Sequence, residues 1–338
     1  MADLVNELSW SFSRKRLFES CRRRYYYNHY LKWNGWDKNA PDERRAAYRL
    51  SKMTTMPIHA GQLVHQIIEQ ALQRYANNGM SLTLEEAIHH SQSVWQEALF
   101  QSLSGGWKTS PKHCLCFVED YYQMPDRDLS ASAAWERMEI CIRNFWSSEV
   151  WEKLRQTDKR RWLAYDGDPY QTIDIDGIPV HARPDFSYDN TPPGEPRRCL
   201  IFDWKTGKPR DSDVLQLRYY AIFAQSVWDV PVGRVKAKLV YLYPSTVEQN
   251  EEMTPDRLDE ARVAMVESFS DMKRVLRDVE ANEPQDIQWF PVTQRAYLCR
   301  TCQFKEICHD RPEADIPEAS TQSDSRKALP EWDPFAEE

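Results

Sequence analysis

Two carboxylates and a lysine near the middle of the chain have the types and spacing to do chemistry. Asp185 closes the tripeptide Arg183-Pro184-Asp185, and Asp203 and Lys205 flank Trp204 at the end of the apolar run Cys199-Leu200-Ile201-Phe202. Residues two apart in a strand project from the same face, so Asp203 and Lys205 are presented together. Burying a carboxylate and an ammonium beside an apolar strand is costly unless they pair or bind a cation. Two carboxylates converging from neighbouring strands make an oxygen-rich site suited to Mg2+ or Mn2+. A lysine beside such an ion can orient or deprotonate water and stabilise the charge that develops on a scissile phosphate. A plain ion pair between Asp185 and Lys205 at a strand end is the simpler alternative.

Further polar residues extend this set. His65 lies four residues before Glu69 in a segment whose Val64, Ile67, Ile68, Ala71 and Leu72 form an apolar stripe; it is either a ligand or a satisfied core histidine. Gln216 and Tyr220, four apart, share one helical face, which brings an amide and a phenol toward the strand end. Separately, Cys299, Cys302 and Cys308 form Cys-x2-Cys-x5-Cys. Three soft ligands this close require a fourth, because zinc sites and iron–sulfur cubanes usually take four. Cys21, near the other end, is the leading candidate, with His309 as a zinc-type substitute. Cys114, Cys116, Cys141 and Cys199 lack such a pattern and read as packing residues.

These side chains need elements to hold them. Ser9 to Trp33 reads as one helix, capped by Ser11 or Ser13, with Leu17, Cys21, Tyr25 and Leu31 at near-helical spacing. Gly61 to Tyr75 is a strongly amphipathic helix. From Ser81 to about Leu163 helical patterns dominate, broken at Gly105-Gly106, Pro111 and Pro125. This Trp-rich block has no recognisable chemistry and reads as a helical insertion over about 77–163. Tyr170–Ile175 and Ile178–Phe186 alternate on either side of Asp176-Gly177, a hairpin signal. Cys199–Trp204 fits a buried strand, Asp213–Trp228 a helix, Val235–Tyr243 a strand and Thr254–Ala281 a long charged helix. The segment 311–338 reads as a disordered acidic tail, with Trp332 and Phe335 as a small apolar island suited to docking a protein partner.

Composition is that of a globular chain with 41% hydrophobic and 28% charged residues. No apolar run suggests a membrane span, and the polar first ten residues do not resemble a signal peptide, so a cytoplasmic location is expected. Eight cysteines in such a chain argue against a disulfide framework. The net charge of −8 first argues against a nucleic-acid partner, but Asp310–Glu338 alone carries −6 of it. Arg14, Lys15, Arg16, Arg22, Arg23 and Arg24 lie within eleven residues and run into Tyr25-Tyr26-Tyr27. That mixture suits a phosphate backbone and stackable bases, although a solvated helix face would read the same way.

In the order Gly61-x3-His65, Arg183-Pro184-Asp185, Asp203-x-Lys205, Gln216-x3-Tyr220, the chain resembles the PD-(D/E)XK nuclease superfamily, and specifically its RecB-like branch. The resemblance implies an α/β restriction-endonuclease-like core, with a mixed, mainly antiparallel central sheet flanked by helices. It implies Mg2+ or Mn2+ held by His65, Asp185, Asp203 and the main-chain carbonyl of Trp204. Lys205 would serve the attacking water, and Gln216 and Tyr220 would support the lysine and the substrate. Asp203 stands where the family often has Glu, which keeps the carboxylate. One N-terminal cysteine with three near the C-terminus is similar to the iron–sulfur subclass of that branch, which includes CRISPR adaptation nucleases and AddB-type subunits. That likeness implies a structural 4Fe–4S cluster on Cys21, Cys299, Cys302 and Cys308, with zinc as the alternative, closing a nuclease domain over 1–310. The function expected is hydrolysis of DNA, probed at strands with single-stranded regions, with Arg14, Lys15, Arg22, Arg23 and Arg24 on the DNA-contacting surface. The rival reading is a non-catalytic DNA-binding or scaffold subunit of a larger complex. The sequence lacks a P-loop, so a helicase activity would belong to another protein.

Overall fold

The computed structural model describes residues 5–165 and 172–312. The expected acidic tail, with Trp332 and Phe335, lies outside the described residues from 313 onward.

The N-terminal helical segment is broken rather than continuous. Ser11 caps α1 (Phe12–Ser20) by accepting from the Arg14 amide. Cys21 is extended at φ −162° and ends α1, and its Sγ then accepts from the Arg24 amide to cap α2 (Arg22–Tyr26). A π-helical turn follows over Tyr27–Leu31. The near-helical spacing through Cys21 concealed this break, which turns the thiol away from the path a continuous helix would give it. After α3 (Asp42–Leu50) comes α4 (Met56–Asn78), which starts earlier than its apolar stripe because Thr55 caps it and Pro57 fits a first turn. Gly79, at φ +76°, ends it in the left-handed conformation that glycine adopts cheaply.

The Trp-rich block contains α5 (Leu84–Ser104), α6 (Val118–Tyr121), α7 (Arg127–Trp146) and α8 (Glu149–Gln156). It leads into β1 (Trp162–Tyr165). The hairpin expected around Asp176-Gly177 joins β2 (Thr172–Ile175) to β3 (Ile178–His181), and both turn residues have positive φ, as a type I′ turn requires. The strand does not run on to Phe186 as its alternation suggested. It stops at His181, Pro184 brings no N–H to a ladder, and Phe186 opens a separate strand, β4 (Phe186–Asp189).

The remaining elements are β5 (Cys199–Lys205), α9 (Asp211–Trp228), β6 (Val235–Tyr241), β7 (Val247–Glu251) and α10 (Pro255–Arg274). Then follow β8 (Leu276–Asp278), β9 (Glu283–Pro284) and the short α11 (Ala296–Arg300). α10 is shorter than Thr254–Ala281 because the chain turns into β8 after Arg274.

The central sheet runs β1-β4-β5-β6-β7, with β5 and β6 parallel through the α9 crossover and every other pair antiparallel. Alternation along β5 sorts its side chains between two cores. Cys199 and Ile201 pack with α9, α10 and Trp10 on one face. Phe202 and Trp204 pack with α4, α5, α7 and α8 on the other. The Trp-rich helices thus supply a whole layer, with Phe145 packed against both Trp204 and Trp151. Each such large side chain removed from water contributes roughly 1.5–3 kcal/mol. A third cluster, built on Tyr27, Leu50, Phe304 and Cys308, joins the two ends of the described chain. Among the described residues, no helix is long and apolar enough to cross a membrane.

Candidate active site and cysteine cluster

Asp203 and Lys205 continue the Cys199–Ile201 face of β5, and so they emerge beneath α9. There Lys205 Nζ lies 2.6 Å from Asp203 Oδ2 and donates to Gln216 Oε1 at 2.7 Å. Gln216 Nε2 donates to the Tyr220 hydroxyl at 2.6 Å. Asp185, just before β4, accepts from the Trp204 amide at 2.7 Å through Oδ2, and its Oδ1 lies 3.4 Å from His65 Nδ1. The antiparallel β4–β5 pairing makes Asp185 and the Asp203–Lys205 pair neighbours. His65 reaches them because α4 runs close to the end of β5. A Cβ placed on Gly61 would come within 3.0 Å of Thr206 Oγ1, so glycine at this position permits that approach. The structure therefore gathers His65, Asp185, Asp203, Lys205, Gln216 and Tyr220 in one place.

Burial and charge act in opposite directions here. Burial pushes Asp203 up to about 6, with Asp185 adding to the rise and Lys205 opposing it. Burial would also raise Asp185, but His65, Lys205 and the Trp204 amide outweigh it and hold that carboxyl below its usual range. Lys205 is held above the usual lysine value despite burial, because Asp203, Asp185 and Asp213 surround it. Burial raises the Tyr220 phenol well above its ordinary value, so it remains a hydrogen-bond donor.

Two further residues went unnoticed in the sequence. Asp213, buried in the first turn of α9, accepts from the Tyr241 hydroxyl at 3.2 Å. Tyr241 is the parallel partner of Lys205 on β6. Only that register brings them to the lysine; an Asp at a helix start and a strand Tyr carry no local signal.

The donor set has the chemistry of a hard-cation site, with the buried Asp203, the partly buried Asp185 and an imidazole. Asp203 Oδ2 is buried and, although it faces the Lys205 charge, receives no well-aligned hydrogen bond. Among the described residues, however, no three His, Cys, Asp or Glu side chains are gathered tightly enough to enclose one ion. In this arrangement Lys205 serves as the counter-charge of the two acids, with His65 Nδ1 beside Asp185. The site opens onto a cleft of about 1090 Å³, walled by α4 on one side and by the start of α1 and β3 on the other.

The cysteines form a second centre. Cys21, Cys299, Cys302 and Cys308 line one small pocket with Arg24, Lys305 and Arg311. Burial first, then Cys302, Cys21 and Cys308, push the Cys299 thiol up to about 11, so all four sulfurs share a neighbourhood. Around them Tyr27 packs on Phe304 and donates to the Ile307 carbonyl, while Arg23 bonds the Phe290 carbonyl and Asp310. His309 is exposed and is not part of the pocket lining. Cys116, Cys141 and Cys199 are buried, and burial pushes their thiols up to about 11, 12 and 12, as packing residues.

The basic run divides. Arg14 is turned inward, donating to the Tyr25 hydroxyl and Ser9 Oγ, and Arg23 is equally buried. Both guanidinium groups are committed to internal contacts, which removes them from the expected DNA-contacting surface. Lys15 pairs with Glu19, Arg24 faces the cysteine pocket, and Arg22 is exposed with its guanidinium over the Phe18 ring.

No curated protein matches the chain. The sequence model of the PD-(D/E)XK nuclease superfamily matches residues 9–309, a span holding the mixed sheet, the acid and lysine set and all four clustered cysteines. On that match, which covers most of its length, the chain belongs to the PD-(D/E)XK nuclease superfamily.

Proposed function

We propose that the chain is a DNA nuclease that hydrolyses phosphodiesters with Mg2+ or Mn2+, and that it carries a structural 4Fe–4S cluster of the RecB-like type. The observation that carries the reading is the convergence of Asp203 and Lys205 with Asp185, Gln216 and Tyr220, the last three of which line an open cleft. Asp185, Asp203, His65 and the Trp204 carbonyl would hold the metal. When bound, it would neutralise phosphate charge and lower the pKa of water. Lys205, aimed by Gln216 and Asp203, hydrogen-bonds the attacking water and the developing negative charge. Gln216, anchored by Tyr220, fixes where that ammonium points. Asp203 would hold the metal at the point where its own burial is most costly, so Asp203→Asn is expected to weaken Mn2+ binding at least tenfold by calorimetry and to abolish Mn2+-dependent cleavage. Unchanged Mn2+ affinity in Asp203→Asn would remove Asp203 from the site.

The cluster is favoured over zinc by the resemblance to the iron–sulfur subclass, and the four thiols that line one pocket would supply its ligands. Its role is to tie α1 and α2 to the C-terminal segment. Iron and zinc analysis of anaerobically purified chain decides it: iron with visible charge-transfer absorption supports the cluster, stoichiometric zinc refutes it. The expected substrate is DNA with single-stranded regions, with Lys15, Arg22 and Arg24 as the remaining candidates of the basic run for phosphate. A scaffold role lacks a supporting observation, since each catalytic side chain is present and mutually oriented.

A further inference from the structure

The cleft has a wall that the catalytic set does not use. Trp10, Ser11, Phe12, Ser13 and Arg16 line it from the start of α1, facing His65, Asp185, Gln216 and Tyr220. The wall is fixed in place. Trp10 donates to the Pro179 carbonyl at 2.7 Å and accepts from the His181 amide at 2.8 Å, which ties this segment to β3. Its ring packs 4.6 Å from Tyr219, and the Phe12 ring lies 5.7 Å from the same tyrosine. Phe12 is only partly buried, and the Arg16 guanidinium lies over its ring at 5.7 Å. One turn apart on α1, these two side chains present a planar cation backed by an aromatic ring. Beside them are the Ser11 and Ser13 hydroxyls, 3.1 Å from each other.

Building on the nuclease reading, we propose that the Phe12–Arg16 pair is the element that grips an unpaired nucleotide next to the scissile phosphate. A nucleobase stacks on the guanidinium plane that Phe12 supports, and the two serine hydroxyls bond the adjoining phosphate. Arginine planes and aromatic rings stack bases of any sequence, but only where the strand is unpaired and the base face is free. A duplex keeps its base faces covered and gains nothing from this wall. Arg16 is thereby a specificity-determining residue for strand state, on the opposite side of α1 from the inward-turned Arg14.

The test is a binding cycle in EDTA, where cleavage does not interfere. The full chain and its Arg16→Ala, Arg16→Lys and Phe12→Leu variants are titrated, by fluorescence anisotropy, with an oligothymidylate and with the same strand made abasic. The wild type loses about tenfold in affinity for the abasic strand, the range expected for one stacked base. Arg16→Ala loses as much on the normal strand and nothing further on the abasic one. Arg16→Lys keeps the charge without the plane and stays close to Arg16→Ala, and Phe12→Leu, which preserves apolar packing, is intermediate. Arg274→Ala, an exposed cation on α10 outside the cleft lining, binds like wild type, and melting curves show that each variant is folded. If Arg16→Ala binds normally, or if abasic substitution costs it as much as it costs wild type, the proposal is overturned. A cycle that holds in a protein unable to cleave any strand would retain this binding wall and reject the nuclease reading, so the two fail separately.

Discussion

At the scale of single residues, the site consists of charges buried in pairs and held by hydrogen bonds to their neighbours. Lys205 is aimed by Gln216 and Gln216 by Tyr220, so in the proposed reaction the amide would act only through the lysine. Gln216→Ala should therefore lower kcat about tenfold to a hundredfold with little change in KM, in the range known for loss of one preorganised polar contact. A fall in affinity with kcat intact would instead make Gln216 a substrate contact. A further buried carboxyl lies outside the cleft. Glu119 accepts from the Met56 amide at the start of α4, its other oxygen has no partner, and burial pushes it up to about 7 from 4.5. The unfolded chain gives up this proton more readily, so stability falls as pH rises from about 4.5 to about 7 and the loss persists above. Glu119→Gln should raise the melting temperature at pH 8 and do so less at pH 5, the difference approaching about 3 kcal/mol at most. Equal shifts at both pH values would show that Glu119 is not carrying a buried charge. The six residues of the proposed site were legible because each belongs to an ordered motif. Asp213 and Tyr241 were not, because only the parallel β5–β6 register brings them to Lys205.

At the scale of elements, the instructive case is the broken helix at Cys21. Leu17, Cys21 and Tyr25 keep a helical spacing, and a pattern argument carries the helix straight through. The chain instead spends Cys21 as an extended joint and thiol cap, which sends that sulfur toward Cys299, Cys302 and Cys308. The same break explains why the arginine run was misjudged. Once α1 and α2 are separate, Arg14 and Arg23 fall on inward faces, one to Tyr25 and the other to the Phe290 carbonyl. If the four cysteines hold a common group, Cys21→Ser and Cys302→Ser should each abolish its iron. Both should also release the two ends of the chain to limited proteolysis together. Cys114→Ser, at a half-buried position without that neighbourhood, should do neither. Retention of iron in Cys21→Ser would mean that another ligand completes the set.

For the molecule as a whole, a single sheet separates two cores, and the candidate site lies at the end of β5. The Trp-rich helices had no legible role in the sequence, since the residues they cover, such as Phe186, Phe202 and Val240, are remote along the chain. Individual strands were legible as short apolar runs between helical patterns, whereas their assembly into a mixed sheet was implied by the resemblance. Charge is also a property of the whole. Residues 313–338 hold eight acids against two bases, and their field repels a polyanion over about a Debye length. Removing 313–338 should therefore tighten DNA binding at low salt, with the gain fading as salt rises toward 0.15 M, where that length is about 8 Å. No gain at low salt would mean that the segment's charge is neutralised or held away from the substrate.

The central claim is that β5 presents a working hydrolytic site. Its most direct test is cleavage of labelled single-stranded DNA by anaerobically purified wild type and Lys205→Ala, with Mn2+ and with EDTA, beside a binding measurement for each. Wild type should cleave in a Mn2+-dependent manner, and Lys205→Ala should lose that cleavage by about a hundredfold or more. DNA affinity should be unchanged in the variant. Wild-type protein that binds DNA but cuts it no faster than Lys205→Ala would contradict the account.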